Sequence, residues 1–284
     1  MAATRRPPRR PAAPTPRRRR PRSDLWGRIL VAIPAAIVVV VFINVGGLAF
    51  ALFMVAVGCV CLAELYRMLA RWRPLPAVGF AALLAMTLLA KTGGQFDVLL
   101  IMVITVPVLF LLVVARGRGN ATVAIAATLL GVYWIGLAAS HAVLLRQLPH
   151  GDGVMIDVLI GTFLGDTGAY IGGRLFGRRP LAPQISPNKT VEGLLIGMLV
   201  AILSVIFAGL FQQTWMSQGH ALLLGITVAV LGPIGDLFES VIKRDAGAKD
   251  AGTLFGPHGG ALDRADAALF TIVAGYYVWF AVIT

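Results

Sequence analysis

Apolar residues dominate this chain in long runs, and polar residues gather in the short segments between them. A bilayer core about 30 Å thick is crossed by roughly 20 apolar residues of α-helix, so runs of about that length predict membrane spans. Nine runs fit this pattern: residues 29–44, 47–69, 75–90, 98–115, 121–145, 154–173, 191–211, 221–242 and 267–283. The pattern therefore predicts an all-α polytopic integral membrane protein with about nine transmembrane helices.

The boundary between the first two runs has two interpretations. Asn44, Gly46 and Gly47 interrupt the apolar sequence there, and residues of this kind favour turns. Two full spans are one interpretation, and one long re-entrant pair of helices is the alternative.

The composition excludes the common soluble classes. Hydrophobic residues make up 58% of the 284 residues and charged residues 13%, which is about half the charged fraction of a soluble domain. The two cysteines, Cys59 and Cys61, lie one residue apart in an apolar run, so a disulfide scaffold is excluded. A net charge of +12 suggests nucleic acid in a soluble chain. Here the basic residues lie in a tail and in loops, and no nucleic-acid partner is expected.

The basic residues also predict the orientation of the spans. Cytoplasmic loops of membrane proteins collect Lys and Arg. With the amino terminus inside, every Lys and Arg except Lys91 and Arg146 falls on the cytosolic side. We therefore expect a multi-pass protein of the cell (plasma) membrane with a cytosolic amino terminus. Residues 1–24, rich in Arg and Pro, are expected to form a disordered cytosolic tail.

Acidic residues divide the chain into two parts. Eight of the 13 Asp and Glu residues lie between Asp166 and Asp266, near the predicted cytosolic side. Residues 25–150 are therefore predicted to be a transmembrane scaffold, and residues 151–284 a transmembrane catalytic region.

The sixth run carries Asp166 about two-thirds along its length and continues into Arg174. An unpaired carboxylate is costly there unless it faces a polar cavity or a cation. The polar segment that follows contains Ser186, Lys189, Thr190 and Glu192. Hydroxyls, an ammonium and free backbone amides just before a helix can bind phosphate, but the same pattern describes an ordinary helix cap. Both interpretations stay open on spacing alone.

The eighth run ends in a polar stripe. Four side chains at helical spacing share one face of this run: Asp236, Glu239, Ser240 and Lys243. A polar stripe at membrane depth must face protein, water or an ion. A glycine-rich loop follows, from Lys249 to Gly260. Asp263 and Asp266 then lie one turn apart before the last run.

Carboxylate oxygens without neighbouring thiols indicate a hard cation such as Mg²⁺, held by one or two carboxylates and by substrate phosphates. Zinc is disfavoured by the same donor set. The Lys and Arg side chains nearby would neutralise a polyphosphate. The alternative is that these charges only pair with one another and fix helix ends. That alternative accounts for one or two pairs and not for the whole cluster.

These residues resemble the signature of the phosphatidate cytidylyltransferases, also called CDP-diacylglycerol synthases. The family motif combines a Ser, a Lys-Arg pair, a Lys-Asp pair, a glycine-bearing stretch, His-Gly-Gly and Asp-Arg-any-Asp. The matching residues here are Ser240, Lys243, Arg244, Lys249, Asp250, Gly252, His258, Gly259, Gly260, Asp263, Arg264 and Asp266. The segments around Asp166, Ser186 and Asp236 also look like family motifs, so the resemblance covers the chain from about residue 166 onward.

The resemblance implies transfer of a cytidylyl group from CTP to phosphatidic acid with Mg²⁺, giving CDP-diacylglycerol and pyrophosphate. Asp236 and Asp263 are expected to hold the principal Mg²⁺, with Glu239 and Asp266 as further ligands or as neighbours of the ligands. Whether a second, monovalent cation shares the site stays open.

Other side chains take substrate roles under this resemblance. Those expected to stabilise charge on the triphosphate and the leaving pyrophosphate are Lys243, Arg244, Lys249 and Arg264. Ser186, Lys189 and Thr190 are expected to cradle a phosphate. The remaining residues expected at the site are Asp166, Arg174, Glu192, Ser240 and Asp250. His258 either contacts substrate or braces the glycine turn.

Other functions remain as alternatives. A cytidylyltransferase acting on an isoprenoid glycerol phosphate and a CTP-dependent lipid kinase have similar requirements. A cation-coupled transporter also buries carboxylates among its spans, but it usually places them near the midplane and in repeated halves, whereas this cluster is one-sided. The oligomeric state is open as well, because the small residues from Gly46 to Gly58 fit either internal packing or a homodimer seam.

Overall fold

The fold is given by a computed structural model that describes residues 25–117, 119–254 and 259–284. Within these residues the chain forms long helices and one short hairpin. The elements are α1 Leu25–Val45, α2 Gly47–Met68, a 3₁₀ turn Ala70–Trp72, α3 Pro76–Thr92, α4 Gln95–Ala115, α5 Ala121–Gly131, a π-helical turn Val132–Gly136, α6 Leu137–Gln147, α7 Gly151–Phe176, β1 Pro180–Ala182, β2 Ser186–Thr190, α8 Val191–Leu210, α9 Gln218–Ala246 and α10 Leu262–Ile283. The π-helical turn joins α5 and α6 into one continuous helix, Ala121–Gln147.

Each predicted span coincides with a helix in the described part of the chain. Seven of these helices are long and apolar enough to cross a membrane, namely α2, α4, the joined α5 and α6, α7, α8, α9 and α10. The other two predicted spans coincide with shorter apolar stretches, which are Ile33–Val45 within α1 and Pro76–Thr92, the whole of α3. The chain is therefore a helical multi-pass membrane protein. Length and composition support seven crossings, where the sequence pattern predicts nine.

One segment adds a short β-hairpin to this all-α fold. Residues 180–190, between α7 and α8, form an antiparallel hairpin in which Pro180 pairs with Thr190 and Ala182 with Ser186. Pro187 has no backbone N–H and restricts the residue before it to extended backbone, so an extended strand is favoured over an earlier start of α8. The hairpin sets the path of the chain from α7 into α8.

The turn between α1 and α2 is fixed by contacts within the chain. Gly46 has a φ of 64°, a backbone conformation that glycine adopts without steric cost. The Arg146 Nε crosses to this turn and donates to the carbonyl O of Ile43 at 2.5 Å. A Cβ at Gly58 would lie 2.9 Å from the side chain of Leu83 on α3. Internal packing therefore accounts for the small residues at Gly46 and Gly58.

Helices α7 and α8 pack closely because small residues line their contact. The glycines of α7 at which a Cβ would meet α8 are Gly161, Gly165, Gly168 and Gly172. On α8, a Cβ at Gly197 would lie 2.7 Å from both the Ala169 Cβ and the Gly165 backbone O. Small residues at such spacing let the backbones of membrane helices approach. This contact fixes Asp166 of α7 relative to α8.

Helix α10 joins the two halves of the chain, since it packs against α9, α7, α6 and α2. One buried cluster combines Leu62 and Leu65 of α2 with Ile242 of α9 and with Leu262 and Leu269 of α10. The acidic ends of α9 and α10 therefore rest directly on a helix of the N-terminal half.

Gly197→Val is expected to weaken the contact between α7 and α8. Its side chain would collide with the α7 backbone, and overpacking of this kind costs about 1–3 kcal/mol. The midpoint of thermal unfolding in detergent should fall by several degrees. Gly219→Ala is the control, because Gly219 is exposed and a Cβ there would lie 3.8 Å from the Ser217 Oγ, an ordinary contact distance, and its midpoint should not fall. An unchanged midpoint for Gly197→Val would show that these helices do not pack in this way.

Candidate active site

Helices α9 and α10 cross at the end of the bundle that carries the acidic stripe. Gly235 permits the close approach, since a Cβ there would lie 2.7 Å from the backbone O of Asp266. Asp236 follows directly on α9, and Glu239 lies one turn further along. The crossing therefore brings Asp236, Glu239 and Asp266 within electrostatic range of one another.

Lys243 links the two helices by bridging two carboxylates. Its Nζ donates to Oε2 of Glu239 on α9 and lies 2.8 Å from Oδ1 of Asp263 at the start of α10. The Lys243 side chain is 14% exposed and that of Glu239 0% exposed. Removing one partner from so enclosed a group would leave a charge uncompensated. The ammonium and both carboxylates therefore act as a unit.

Asp263 also holds the glycine-rich loop. Its Oδ2 accepts the backbone N–H of Ala251 at 2.9 Å and that of Gly260 at 2.7 Å. Gly259 has a φ of 86°, and a Cβ there would lie 2.7 Å from Oδ2 of Asp263, so glycine is required on both counts. The two ends of the loop therefore converge on one carboxylate.

A group of four carboxylates surrounds the crossing: Asp166, Asp236, Glu239 and Asp266. Asp266 is within electrostatic range of the other three, and Asp166 is within range of Asp236 and Lys189. Glu239 is 0% exposed and Asp266 8% exposed. Among the described residues, the buried Oε1 of Glu239 accepts no N–H or hydroxyl donor, and the carboxyl groups of Glu239 and Asp266 lie within hydrogen-bonding reach of each other. Carboxylates this close together require a cation if they are all to be ionised.

The hairpin brings a second lysine to this group. Lys189 of β2 forms an ion pair with Asp236. The Arg244 Nε donates to the backbone O of Ile185 at 3.0 Å, which holds the hairpin against the end of α9. Two ammonium groups, those of Lys189 and Lys243, therefore lie among the carboxylates.

Side-chain caps fix the start of α8. The Thr190 Oγ1 accepts the N–H of Gly193 at 3.1 Å. The Glu192 Oε2 accepts the N–H groups of Arg178 at 2.9 Å and of Arg179 at 3.1 Å. Of the two interpretations of this segment, the structure shows the helix cap directly. The cap uses the Thr190 oxygen as an acceptor and leaves its hydroxyl proton available to a phosphate.

Two spaces adjoin the site. A narrow cleft between α7, α8 and α9 borders Asp166, and its volume of about 20 Å³ is room for about one water. A wider, open pocket of about 370 Å³ lies where α7 ends, beside Phe176, Arg178, Arg179 and Glu192. The wider pocket therefore lies beside the two arginines that precede the hairpin.

The spacing of the acidic side chains limits how a divalent cation could bind. Within residues 25–117, 119–254 and 259–284, no three Asp, Glu, His or Cys side chains are close enough to hold a metal ion between them. Mg²⁺ does not need such a cage, because it is usually bound by one or two carboxylates, several waters and substrate phosphates. Asp236, whose side chain is 32% exposed, and Asp263, whose side chain is 10% exposed, meet this requirement. The residues therefore fit Mg²⁺ that binds together with a phosphate ligand.

The other predicted site residues lie on the same helices and strand or on the segments next to them. Ser240 is 9% exposed, next to Glu239 on α9, and Ser186 begins β2. The side chains exposed at the surface are those of Arg174, Arg244, Lys249, Asp250 and Arg264. His258 and the predicted disordered tail, residues 1–24, lie outside the described residues.

Glu64 of α2 also reaches this site, although the sequence analysis assigns it no role. It is 2% exposed, and its Oε2 accepts the N–H of Leu262 at 2.9 Å. The available signal was an acidic residue inside an apolar run, which is the same signal that singled out Asp166.

A different buried acid lies apart from the site. Asp157, earlier on α7, is 0% exposed, and its Oδ1 accepts from the Gln212 Nε2 at 3.0 Å. Gln212 follows the end of α8, whereas the carboxylate group lies where α8 begins. Asp157 therefore serves as a matched control for substitutions at the site.

Residues 26–282 match the model of the Cytidylyltransferase family. A protein of Bacillus subtilis named phosphatidate cytidylyltransferase is 33% identical over 263 residues, which cover 90% of this chain and 97% of the relative. A protein of the same name from Staphylococcus epidermidis is 32% identical over 250 residues, covering 86% and 95%. One from Mycobacterium tuberculosis is 34% identical over 167 residues, covering 58% and 50%. This chain therefore belongs to the cytidylyltransferase family.

Proposed function

We propose that this chain transfers a cytidylyl group from CTP to phosphatidic acid, forming CDP-diacylglycerol and pyrophosphate. Its family and the names of its relatives support this activity. The observation that carries the proposal is the convergence of four carboxylates and two lysines at one end of an apolar bundle. A membrane lipid phosphate and a water-soluble nucleotide meet at such a boundary.

The reaction needs positioning and charge neutralisation more than acid–base chemistry. An ionised phosphate oxygen of phosphatidic acid attacks the α-phosphorus of CTP and forms a new P–O bond. The bond from the α-phosphorus to the bridging oxygen breaks, and pyrophosphate leaves with the electron pair. Both substrates are polyanions, so fixed cations must offset their repulsion and the charge on the leaving group.

The basic residues of the site supply those fixed charges. Lys243 is held by two carboxylates and Lys189 by one, so neither ammonium has to be ordered when substrate binds. Arg244 lies beside the hairpin, and Lys249 and Arg264 are exposed at the loop and at the start of α10. These side chains would contact the triphosphate from the aqueous side.

Asp236 and Asp263 are the proposed principal Mg²⁺ ligands, with Glu239 and Asp266 adding negative charge or further oxygens. When bound, Mg²⁺ would neutralise and orient the phosphates that it bridges. A bound triphosphate offers Lys189 a new anionic partner, which would release oxygens of Asp236 for the cation. A carboxylate has about four lone-pair sites, so Asp263 can keep its loop hydrogen bonds as well.

The hairpin and the start of α8 form the proposed phosphate cradle. Ser186, Lys189 and Thr190 all belong to β2, and Glu192 fixes the backbone behind them through Arg178 and Arg179. A phosphate there would receive an ammonium and hydroxyl donors without any rearrangement of the backbone.

We propose that the site faces the cytosol, where CTP is available, and that the chain crosses the cell membrane nine times. The distribution of Lys and Arg supports this orientation. Helix α1 has 21 residues, enough to cross a bilayer core. The shorter helix α3, with 17 residues, would cross where the bilayer thins locally, which costs only fractions of a kcal/mol per Å of mismatch.

The transfer reaction is tested with purified protein, phosphatidic acid, Mg²⁺ and CTP labelled at the α-phosphorus. The label should enter the lipid, and pyrophosphate should be released. Asp263→Asn should lower the rate by about 100-fold or more, because charge stabilisation at the reacting centre is lost. Asp157→Asn should keep the wild-type rate, since it changes a buried acid away from the site.

The products separate this function from the alternatives. Release of CDP would indicate a lipid kinase, and preferential labelling of an isoprenoid glycerol phosphate would indicate a different lipid substrate. Cation flux into vesicles without CTP turnover would indicate a transporter. Each of these results contradicts the proposed function.

Lys243→Met is expected to destabilise the protein by about 3–5 kcal/mol, because Glu239 and Asp263 lose the cation between them. Unfolding by denaturant in detergent measures this change, and cytidylyl transfer should be lost as well. Lys91→Met, at the end of α3 away from the site, should alter neither property. Wild-type stability for Lys243→Met would mean that Lys243 does not hold these carboxylates together.

The orientation is tested by attaching a membrane-impermeant maleimide to single introduced cysteines. Gln213→Cys, between α8 and α9, should react in intact cells. Thr253→Cys, in the glycine-rich loop, should react only after permeabilisation, because the proposed nine spans place the two on opposite sides. The unsubstituted chain gives the background from Cys59 and Cys61. The reverse pattern would contradict a cytosolic site.

A further inference from the structure

We infer that Glu64 of α2 is a positioning residue that holds the glycine-rich loop of the active site in place. The inference rests on the proposed function and extends it to the N-terminal half of the chain. Glu64 acts on the loop backbone, and through that backbone on the residues that contact substrate.

Glu64 satisfies a backbone donor at the start of α10. Its Oε2 accepts the N–H of Leu262, the first residue of that helix, at 2.9 Å. The first N–H groups of a helix have no partner within the helix, and the N-cap residue Ala261 makes no side-chain cap. A carboxylate from another helix therefore takes the place of the usual capping side chain.

The loop backbone also packs directly on the Glu64 carboxylate. A Cβ at Gly252 or at Gly260 would collide with its oxygens. Gly252 lies near the beginning of the loop and Gly260 at its end, so one buried carboxylate contacts both. The absence of side chains at these two glycines allows the backbone to approach this closely.

Asp263 holds the same two stretches of the loop by hydrogen bonds to Ala251 and Gly260. Because Asp263 also binds Lys243, a shift of the loop would move the carboxylate and ammonium groups of the site together. Glu64 is thus connected to the proposed metal ligands through a single layer of backbone.

The surroundings of Glu64 make it a firm support. Leu62 and Leu65 of α2 belong to the same buried cluster as Ile242 of α9, Ala251 of the loop and Leu262 of α10. Side chains fixed by packing of this kind hold a site more exactly than mobile ones.

Kinetics of Glu64→Leu test the inference, because leucine fills a similar volume without an acceptor. The kcat should fall about 100-fold, as expected for a displacement of about 1 Å among catalytic groups. The KM for CTP should change by less than roughly threefold, since the loss is in the transition state. Glu64→Gln keeps an acceptor oxygen and should recover most of kcat. Thr87→Val, which removes a buried hydroxyl from the scaffold helix α3, should match the wild type.

Limited tryptic digestion measures the accessibility of the loop and does not require enzyme activity. Lys249 lies in the loop and Arg116 lies between α4 and α5, and both are exposed. Glu64→Leu should speed cleavage after Lys249 and leave cleavage after Arg116 unchanged. Gly252→Ala is a second variant, which keeps Glu64 but crowds its carboxylate, and it should show the same selective cleavage.

The outcomes distinguish this inference from the proposed function. If the wild type makes no CDP-lipid, the proposed function fails, while the digestion still tests the contact of Glu64 with the loop. Wild-type kcat together with unchanged cleavage after Lys249 would overturn the inference. Equal acceleration at Lys249 and Arg116 would overturn it too, since that result indicates general loosening of the fold.

Discussion

The bridge that Lys243 makes between Glu239 and Asp263 is the interaction on which the polar part of this protein depends. An apolar bundle tolerates ionised side chains only where they are paired or face water. Lys243 meets that condition between α9 and α10, and Lys189 meets it between the hairpin and α9. Both pairs lie at the same end of the bundle. A nucleotide there would compete with the carboxylates for the lysines, and a divalent cation would compete with the lysines for the carboxylates.

The hydrophobic pattern is sufficient to predict the helices, because a long apolar run in a membrane has almost no other way to satisfy its backbone. It does not predict the hairpin of Pro180–Ala182 and Ser186–Thr190. These strands are short and polar, and their pairing depends on where α7 ends and α8 begins. The number of crossings is equally difficult to read from the pattern. The apolar stretch of α1, Ile33–Val45, and helix α3, Pro76–Thr92, are both shorter than a standard span.

Spacing in the sequence indicates which polar side chains share one face of a helix, but it does not indicate contacts between helices. The stripe from Asp236 to Lys243 and the pair Asp263 and Asp266 can be found because their spacing matches a helical turn. The pairing of Lys189 with Asp236 and the contact of Glu64 with the loop join residues far apart in the chain, and no periodicity reports such contacts. Helix α2 therefore contributes a carboxylate that contacts the loop before α10.

We propose above that the carboxylates of α9 and α10 bind a divalent cation together with CTP. Equilibrium dialysis of the purified protein against Mn²⁺, with and without CTP, tests it most directly. The wild type and Asp157→Asn should retain Mn²⁺ in excess of the outer solution when CTP is present, and Asp236→Asn should not. Equal retention by all three proteins, or no excess with the wild type, would contradict the proposed site.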